Sequence, residues 1–271
     1  MFGKLLKNDL KAQWHSVSAI YLVAIIVAAV AEGFALFSDG RIAVALSSTL
    51  VVLILMFTSL ITLIAVAIMF SNTLFGRAGY LTLTLPVKTG SLIRSKTLSG
   101  LIWIFVSYGL LIGSVFLSFS QLKEVLGDEL TTSTEDILAI FGIPSFFTIF
   151  IGVIVLCVSF TAVILVLVQS LYLAIALSNV SPLSKFGKFG AVIMFFVIFG
   201  VVQSVTTKIG GMWSMGVVIS EASLTFTSNT ASYAGAGNMC VGLFGTVLRI
   251  VAAVALHYPI TAIIKNKVNV R

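Results

Sequence analysis

Cut at its charged clusters, this chain falls into six apolar runs, each long enough to cross a bilayer. A spanning helix needs about 20 consecutive, mostly apolar residues, and few other folds tolerate such runs. Composition agrees: of 271 residues, 59% are hydrophobic and only 9% charged, against about 25% charged in an ordinary soluble domain. Too little remains outside the runs for a sizeable soluble domain. The expected fold is an all-α integral membrane protein, with an N-terminal interfacial helix followed by six transmembrane helices. Residues 1–271 then form a single transmembrane domain.

The chain opens with Phe2 to Trp14, where Lys4, Lys7, Asn8 and Lys11 fall on one helical face and Phe2, Leu5, Leu6 and Leu10 largely on the other. Basic residues on the wet side and apolar ones opposite suit a membrane surface, so residues 1–15 read as an interfacial helix. Asp9 interrupts the apolar face and needs a cationic partner, which the sequence does not name. No small-residue cleavage site follows, so the segment does not read as a removable signal peptide.

The first span is expected over Ser16 to Phe37 and the second, longer than one crossing needs, over Ile42 to Phe75. A polar segment, 76–96, leads into a third run from Thr97 to Phe119, followed by an acidic loop from Gln121 to Asp136. Pro144 tends to end or kink a helix, which places the fourth span after Ser145 and before Asn179. The fifth is expected over Phe189 to Val205 and the sixth over Cys240 to Ile264. Between these two, 206–239 is too apolar for a free loop and too broken for a span. It reads either as a partly embedded extracellular segment made of two short helices or as a plain external loop.

Cytoplasmic loops carry excess Lys and Arg, which tests the topology. Six spans put both termini on one side, together with Lys4, Lys7, Lys11, Arg77, Lys88, Arg94, Lys96, Lys185, Lys188, Lys265, Lys267 and Arg271 against Asp9 alone. The opposite side holds Arg41, Lys123 and Lys208 against Asp39, Glu124, Asp128, Glu129, Glu135, Asp136 and Glu221. Both termini are therefore expected in the cytoplasm. The net charge of +7 is a topology signal, and its scatter in short clusters argues against nucleic-acid binding. Cys157 and Cys240 form no CxxC and have no nearby histidine, so neither a metal nor a redox site is expected.

Within the spans, Glu32 is the one acid and Arg249 the one strong base. A charge at the bilayer centre costs about 2.5–3.5 kcal/mol on insertion scales, so each should face protein or water. At about 1.5 Å rise per residue their depths agree closely enough for them to pair. They read as a gate or substrate contact near the outer opening, or as a structural ion pair locking two helices. Gln169 and Gln203 could line a pathway, although interhelical hydrogen bonds explain them equally well.

The most informative stretch is FGRAGYLTLTLPVKTGSLIRSK, residues 75–96. Leu81, Leu83 and Leu85 alternate with threonines, Pro86 breaks the run, and Lys88, Arg94 and Lys96 follow. An apolar stripe on a cytoplasmic element suggests docking to another protein, with packing back on the membrane surface as the bland alternative. The part GYLTLTLPVKTGSLIRSK resembles the segment after the second span in permeases of the type 2 ABC transporter superfamily. The interfacial helix, six spans and external segment before the sixth resemble that family in outline as well. The resemblance implies that 76–96 is a coupling segment received by an ATPase subunit, with Arg77, Tyr80, Leu81, Leu83, Leu85, Pro86, Lys88, Arg94 and Lys96 at the contact. It also implies two permease and two ATPase subunits, as a homodimer or heterodimer of permeases, exporting a substrate across a bacterial plasma membrane.

The chain has no GxxxxGK[ST] loop to cradle phosphate. It is expected to be no enzyme and to hold no cofactor, with ATP and Mg bound in the partner. A stand-alone ion-coupled transporter is the main alternative, but such proteins show intramembrane carboxylates and internal repeats. A permease-like sensor or immunity subunit shares the same sequence features. An intramembrane enzyme finds no HExxH and no clustered acids here.

The topology is open to direct test in a cysteine-free background. A cysteine introduced in the acidic loop, at Thr132, is expected to react with an impermeant maleimide on intact cells, and one at Asn269 only after lysis. Labelling of Asn269→Cys on intact cells would overturn the assignment.

Overall fold

The computed structural model describes residues 2–36, 41–76, 79, 89–126, 146–180, 187–213, 215–219, 224–230 and 239–266. Its long helices are α1 (Phe2–Leu36), α2 (Arg41–Leu74), α3 (Thr89–Leu126), α4 (Phe146–Ser178), α5 (Gly187–Met212) and α6 (Leu243–Asn266). Helices α2 to α6 each contain a stretch long and apolar enough to cross a membrane. Helix α1 adds a sixth if its two parts, Phe2–His15 and Val17–Ala31, are joined across their 43° bend. The chain is thus a largely helical protein with membrane-length helices, as its composition dictates.

Several boundaries follow from local chemistry. Helix α2 is 34 residues long, about 50 Å at the α-helical rise, and so exceeds a hydrocarbon core of about 30 Å. Thr58, Thr62 and Thr73 along it donate their hydroxyls to the carbonyls of Ile54, Thr58 and Met69 at 2.7–2.8 Å. Back-bonding of this kind satisfies a polar side chain inside an apolar helix. Helix α4 starts directly after the Pro144–Ser145 break. Helix α3 begins already at Thr89, ahead of the expected start at Thr97, so residues 89–96 are helical.

The reading of 206–239 as two short helices is wrong. Helix α5 runs on through Met212, and the connection to α6 contains three antiparallel strands in the order β2-β1-β3: β1 (Gly216–Ile219), β2 (Leu224–Thr227) and β3 (Met239–Gly242). Val217 faces Phe226 on one side and Val241 on the other. The sequences GVVI, LTFT and MCVG are rich in β-branched residues, which favour a pleated surface over a helix. Val217 and Val218 are successive residues of β1, so they point to opposite faces, yet both are buried. The strands described here are therefore paired structure and not a free loop. At Gly216 a Cβ would collide with the Val241 carbonyl oxygen, so only glycine fits there.

The described residues form two compact units, α1 to α3 and α4 to α6 with the sheet. In the first, all three helices touch one another, and Ala24, Val51 and Leu55 form a buried cluster with Ala28, Ala31, Ile54 and Leu111 packed on it. In the second, α4 touches both α5 and α6 and buries Ala162, Val166, Val168 and Tyr172. Large side chains such as Leu22, Phe57 and Phe196 remain at least 60% exposed, an arrangement that water disfavours and lipid accepts.

Helices α5 and α6 approach closely at one point, where a Cβ on Gly210 would sit 3.1 Å from the Gly245 Cα. Small residues allow such backbone approach, which drives helix association in membranes. Gly210→Val is therefore expected to lower thermal stability in detergent by about 1–3 kcal/mol, the usual cost of overpacking. Gly211→Val, with open space around it, serves as the neutral control, and equal melting of the two variants would contradict the close approach.

Candidate functional site

The residues that the structure gathers most tightly lie between α1 and α3. On α1, Asp9, Gln13, Val17 and Tyr21 recur every four residues, which puts them along one helical row. On α3, Ser95, Ser99, Trp103 and Ser107 do the same. The two rows meet in order. Ser95 donates to Asp9 Oδ2 at 2.5 Å, Gln13 Nε2 donates to Ser99 Oγ at 3.0 Å, and the Tyr21 hydroxyl donates to the Trp103 carbonyl at 3.0 Å. Contacts that rise together along both chains mean that α1 and α3 run parallel along this seam.

At one end of the seam, Lys96 Nζ lies 3.1 Å from Asp9 Oδ1, with the two side chains only 8% and 16% exposed. This is the cationic partner that Asp9 requires. The Ser99 hydroxyl donates to the Lys96 carbonyl, which ties the next turn of α3 into the same network. At the other end, Trp103 packs between Trp14 and Tyr21, with ring centroids 5.7 and 6.1 Å away. The Tyr21 hydroxyl also lies beside Thr62 of α2 and Ser107 of α3. Trp14, Tyr21, Leu22, Ile25 and Trp103 line a shallow, almost wholly apolar groove on this face.

Lys96, one of the residues grouped for ATPase contact, therefore has its ammonium spent inside the protein. Arg94, on the opposite side of the same turn, is exposed and remains available to a partner. Arg77, Tyr80, Leu81, Leu83, Leu85, Pro86 and Lys88 lie outside the described residues.

A second polar contact occurs in the other unit, where Arg249 Nε on α6 donates to Gln203 Oε1 on α5 at 3.4 Å. The Glu32 side chain lies outside the described residues, so the expected Glu32–Arg249 pair is not seen. Gln169 is buried on α4 and takes no part in the Arg249–Gln203 contact. Thr246, one turn before Arg249, donates to Ser159 of α4 at 3.2 Å, so α6 is bonded to both its neighbours. Phe195 and Phe199 stack on each other within α5 at 5.7 Å. Among the described residues no group of three or more His, Cys, Asp or Glu side chains is placed to hold a metal.

Sequence reasoning identified Asp9 as needing a partner but missed Gln13, Tyr21 and Trp103. The signal was present as a four-residue recurrence of polar and aromatic residues on both helices. Comparison with protein-family models, with curated proteins and with solved structures finds no match. Fold and composition define a helical protein with membrane-length helices.

Removing one member of a buried ion pair strands the other charge, at a cost of about 3 kcal/mol or more. Lys96→Met and Asp9→Leu are each expected to destabilise the protein by about that amount, whereas the double variant recovers most of the loss. Thermal melts of the three variants in one detergent form the test. Strict additivity would show that the pair is not coupled.

Proposed function

We propose that this chain is the membrane-spanning permease subunit of an ATP-driven exporter of the type 2 ABC class. A separate ATPase docks on the cytoplasmic segment between α2 and α3. Two copies of each subunit make the transporter, with the second permease identical or related, and ATP and Mg sit in the ATPase. An amphiphilic or peptide-like substrate moves outward as the permeases switch between two packed states.

The observation that carries the reading is the GYLTLTLPVKTGSLIRSK sequence, set between two membrane-length helices and running into the first turns of α3. The seam adds a physical route for coupling. Lys96 and Ser95, at the end of that sequence, hold Asp9 of the N-terminal helix. A push on the segment thus bears on α3 and, through Asp9 and Gln13, on α1. Buried charge-assisted bonds suit such a linkage, because they have a strong geometric preference and break only at high cost. The charge asymmetry of the loops supports a cytoplasmic position for this end of α1 and α3, where an ATPase would be.

Purification of the tagged chain from its native membranes in mild detergent is expected to bring down a P-loop ATPase. Replacing Leu81, Leu83 and Leu85 together with serine should reduce recovery of that ATPase about tenfold, as loss of a central apolar contact does at other interfaces, with the chain's own melting temperature unchanged. Full recovery of the ATPase by this variant, or none by the wild type, would sink the proposal.

A further inference from the structure

The face of α1 turned away from Asp9 changes chemistry in a fixed order. Lys7, Lys11, Trp14, Ser18, Leu22 and Ile25 recur at steps of three and four, which keeps them within about 80° of one another around a helix of 3.6 residues per turn. Lys4 extends the row by one more turn. Lys4, Lys7 and Lys11 are exposed, as is Trp14, and Leu22 and Ile25 are each more than half exposed. From its N-terminal end the row thus reads as cations, then an indole and a hydroxyl, then aliphatic side chains.

The structure joins this row into one surface. Trp14 before the 43° bend of α1, and Ser18, Leu22 and Ile25 after it, line the same groove beside Trp103 of α3, so the face continues through the bend. The groove has a volume of about 310 Å³, at the lower end of the roughly 300–1,000 Å³ found for ligand sites. From Trp14 to Ile26 it runs about 18 Å along the helix, against about 15 Å of hydrocarbon in one leaflet of a bilayer. Its shape suits a single extended chain.

Charge decides what such a chain carries at its head. Asp9 is the only acid in residues 1–31 and in residues 41–120, and its carboxylate is paired with Lys96. Glu32 on α1 and Glu124 on α3 each stand about 30 Å or more further along their helices, beyond Lys11 and Lys96. Three exposed lysines therefore set a positive field at the N-terminal end of the groove. Helical side chains lean towards the N-terminus, which carries the Lys11 ammonium beyond the groove's mouth and off its apolar floor. Lysines beside apolar surface attract anionic lipid headgroups, and tryptophan is favoured at the level between headgroup and hydrocarbon. A second copy of the chain seated here by the same face would bring another basic row to the same depth, where like charges repel.

We propose that the α1–α3 groove holds one phospholipid with an anionic headgroup, the headgroup at Lys7 and Lys11 and an acyl chain along Trp14, Trp103, Leu22 and Ile25. The order of cation, aromatic and aliphatic side chains along α1 follows the order of headgroup, interface and chain in the lipid. The site goes beyond the exporter reading and needs no ATPase.

The chain has three tryptophans, and two of them, Trp14 and Trp103, line the groove. In a Trp213→Phe background the remaining emission therefore reports on the site. The full chain is placed in phosphatidylcholine nanodiscs containing a small fraction of lipid brominated on its acyl chains, either phosphatidylglycerol or phosphatidylcholine. Brominated phosphatidylglycerol is expected to quench several-fold more strongly than the same fraction of brominated phosphatidylcholine. Lys7→Gln with Lys11→Gln, both at exposed positions, should bring the two lipids to equal quenching, whereas Lys265→Gln, an exposed lysine on α6, should leave the preference intact. Ser18→Phe, which fills the groove, should reduce quenching by phosphatidylglycerol several-fold with the lysines in place. Equal quenching by the two lipids in the parent, a preference that survives the double lysine variant, or an equal loss in Lys265→Gln would overturn the proposal. Quenching by neither lipid would mean that protein covers the groove, and would overturn it too.

Discussion

Inside hydrocarbon a polar group has no water to turn to, so each one must find its partner within the protein. That constraint organises the molecule. Backbone groups meet it by forming helices whose bonds close within a segment. Hydroxyls such as Thr58 and Thr62 meet it by bonding to the carbonyl one turn earlier. Asp9 and Lys96, buried against protein at the end of the α1–α3 seam, obey the same rule by pairing with each other, and Gln13 by reaching Ser99. The connection between α5 and α6 meets it by folding into a sheet, whose central strand pairs on both edges. Its Met215 carbonyl then accepts from the Leu243 and Phe244 amides, two of the donors that the start of α6 would otherwise leave open.

Where pairing is dense, the structure is specified. The α1–α3 seam is dense. Four-residue rows on both helices fix their register, and a slip by one turn would put Asp9 against Ser99 and leave Lys96 without its carboxylate. Such buried polar contacts add specificity of register even where their net stability is small. In the second unit, the Arg249 guanidinium makes one hydrogen bond among the described residues, to Gln203.

Much of the helical layout was legible in the sequence. The six apolar runs correspond to α1 to α6, Pro144 marked the start of α4, and the over-long second run became the 34-residue α2. Boundaries were less legible where apolar and polar patterns overlap. Thr89 to Lys96 looks like a polar segment because of Arg94 and Lys96, yet it is helix, since one of those charges is buried on Asp9 and the other is exposed. The sheet was missed because a Gly-, Ser- and Thr-rich stretch with short apolar clusters suits broken helices and short strands equally. The choice between them depends on distant pairing, such as Val217 with Val241.

The sequence alone determined that the chain forms membrane-length apolar helices, roughly where they lie, and that Asp9, Glu32 and Arg249 were charges in need of an explanation. Those facts depend on local quantities: run length, periodicity and the cost of moving a charge out of water. Only the tertiary structure decided which partner each charge takes. Lys96 is 87 residues from Asp9, and Gln203 is 46 from Arg249. Such pairings depend on helix packing and side-chain reach, and a linear pattern carries neither. The residues that join the 80–96 sequence to the N-terminal helix, and the one that meets Arg249 between α5 and α6, emerge at that level.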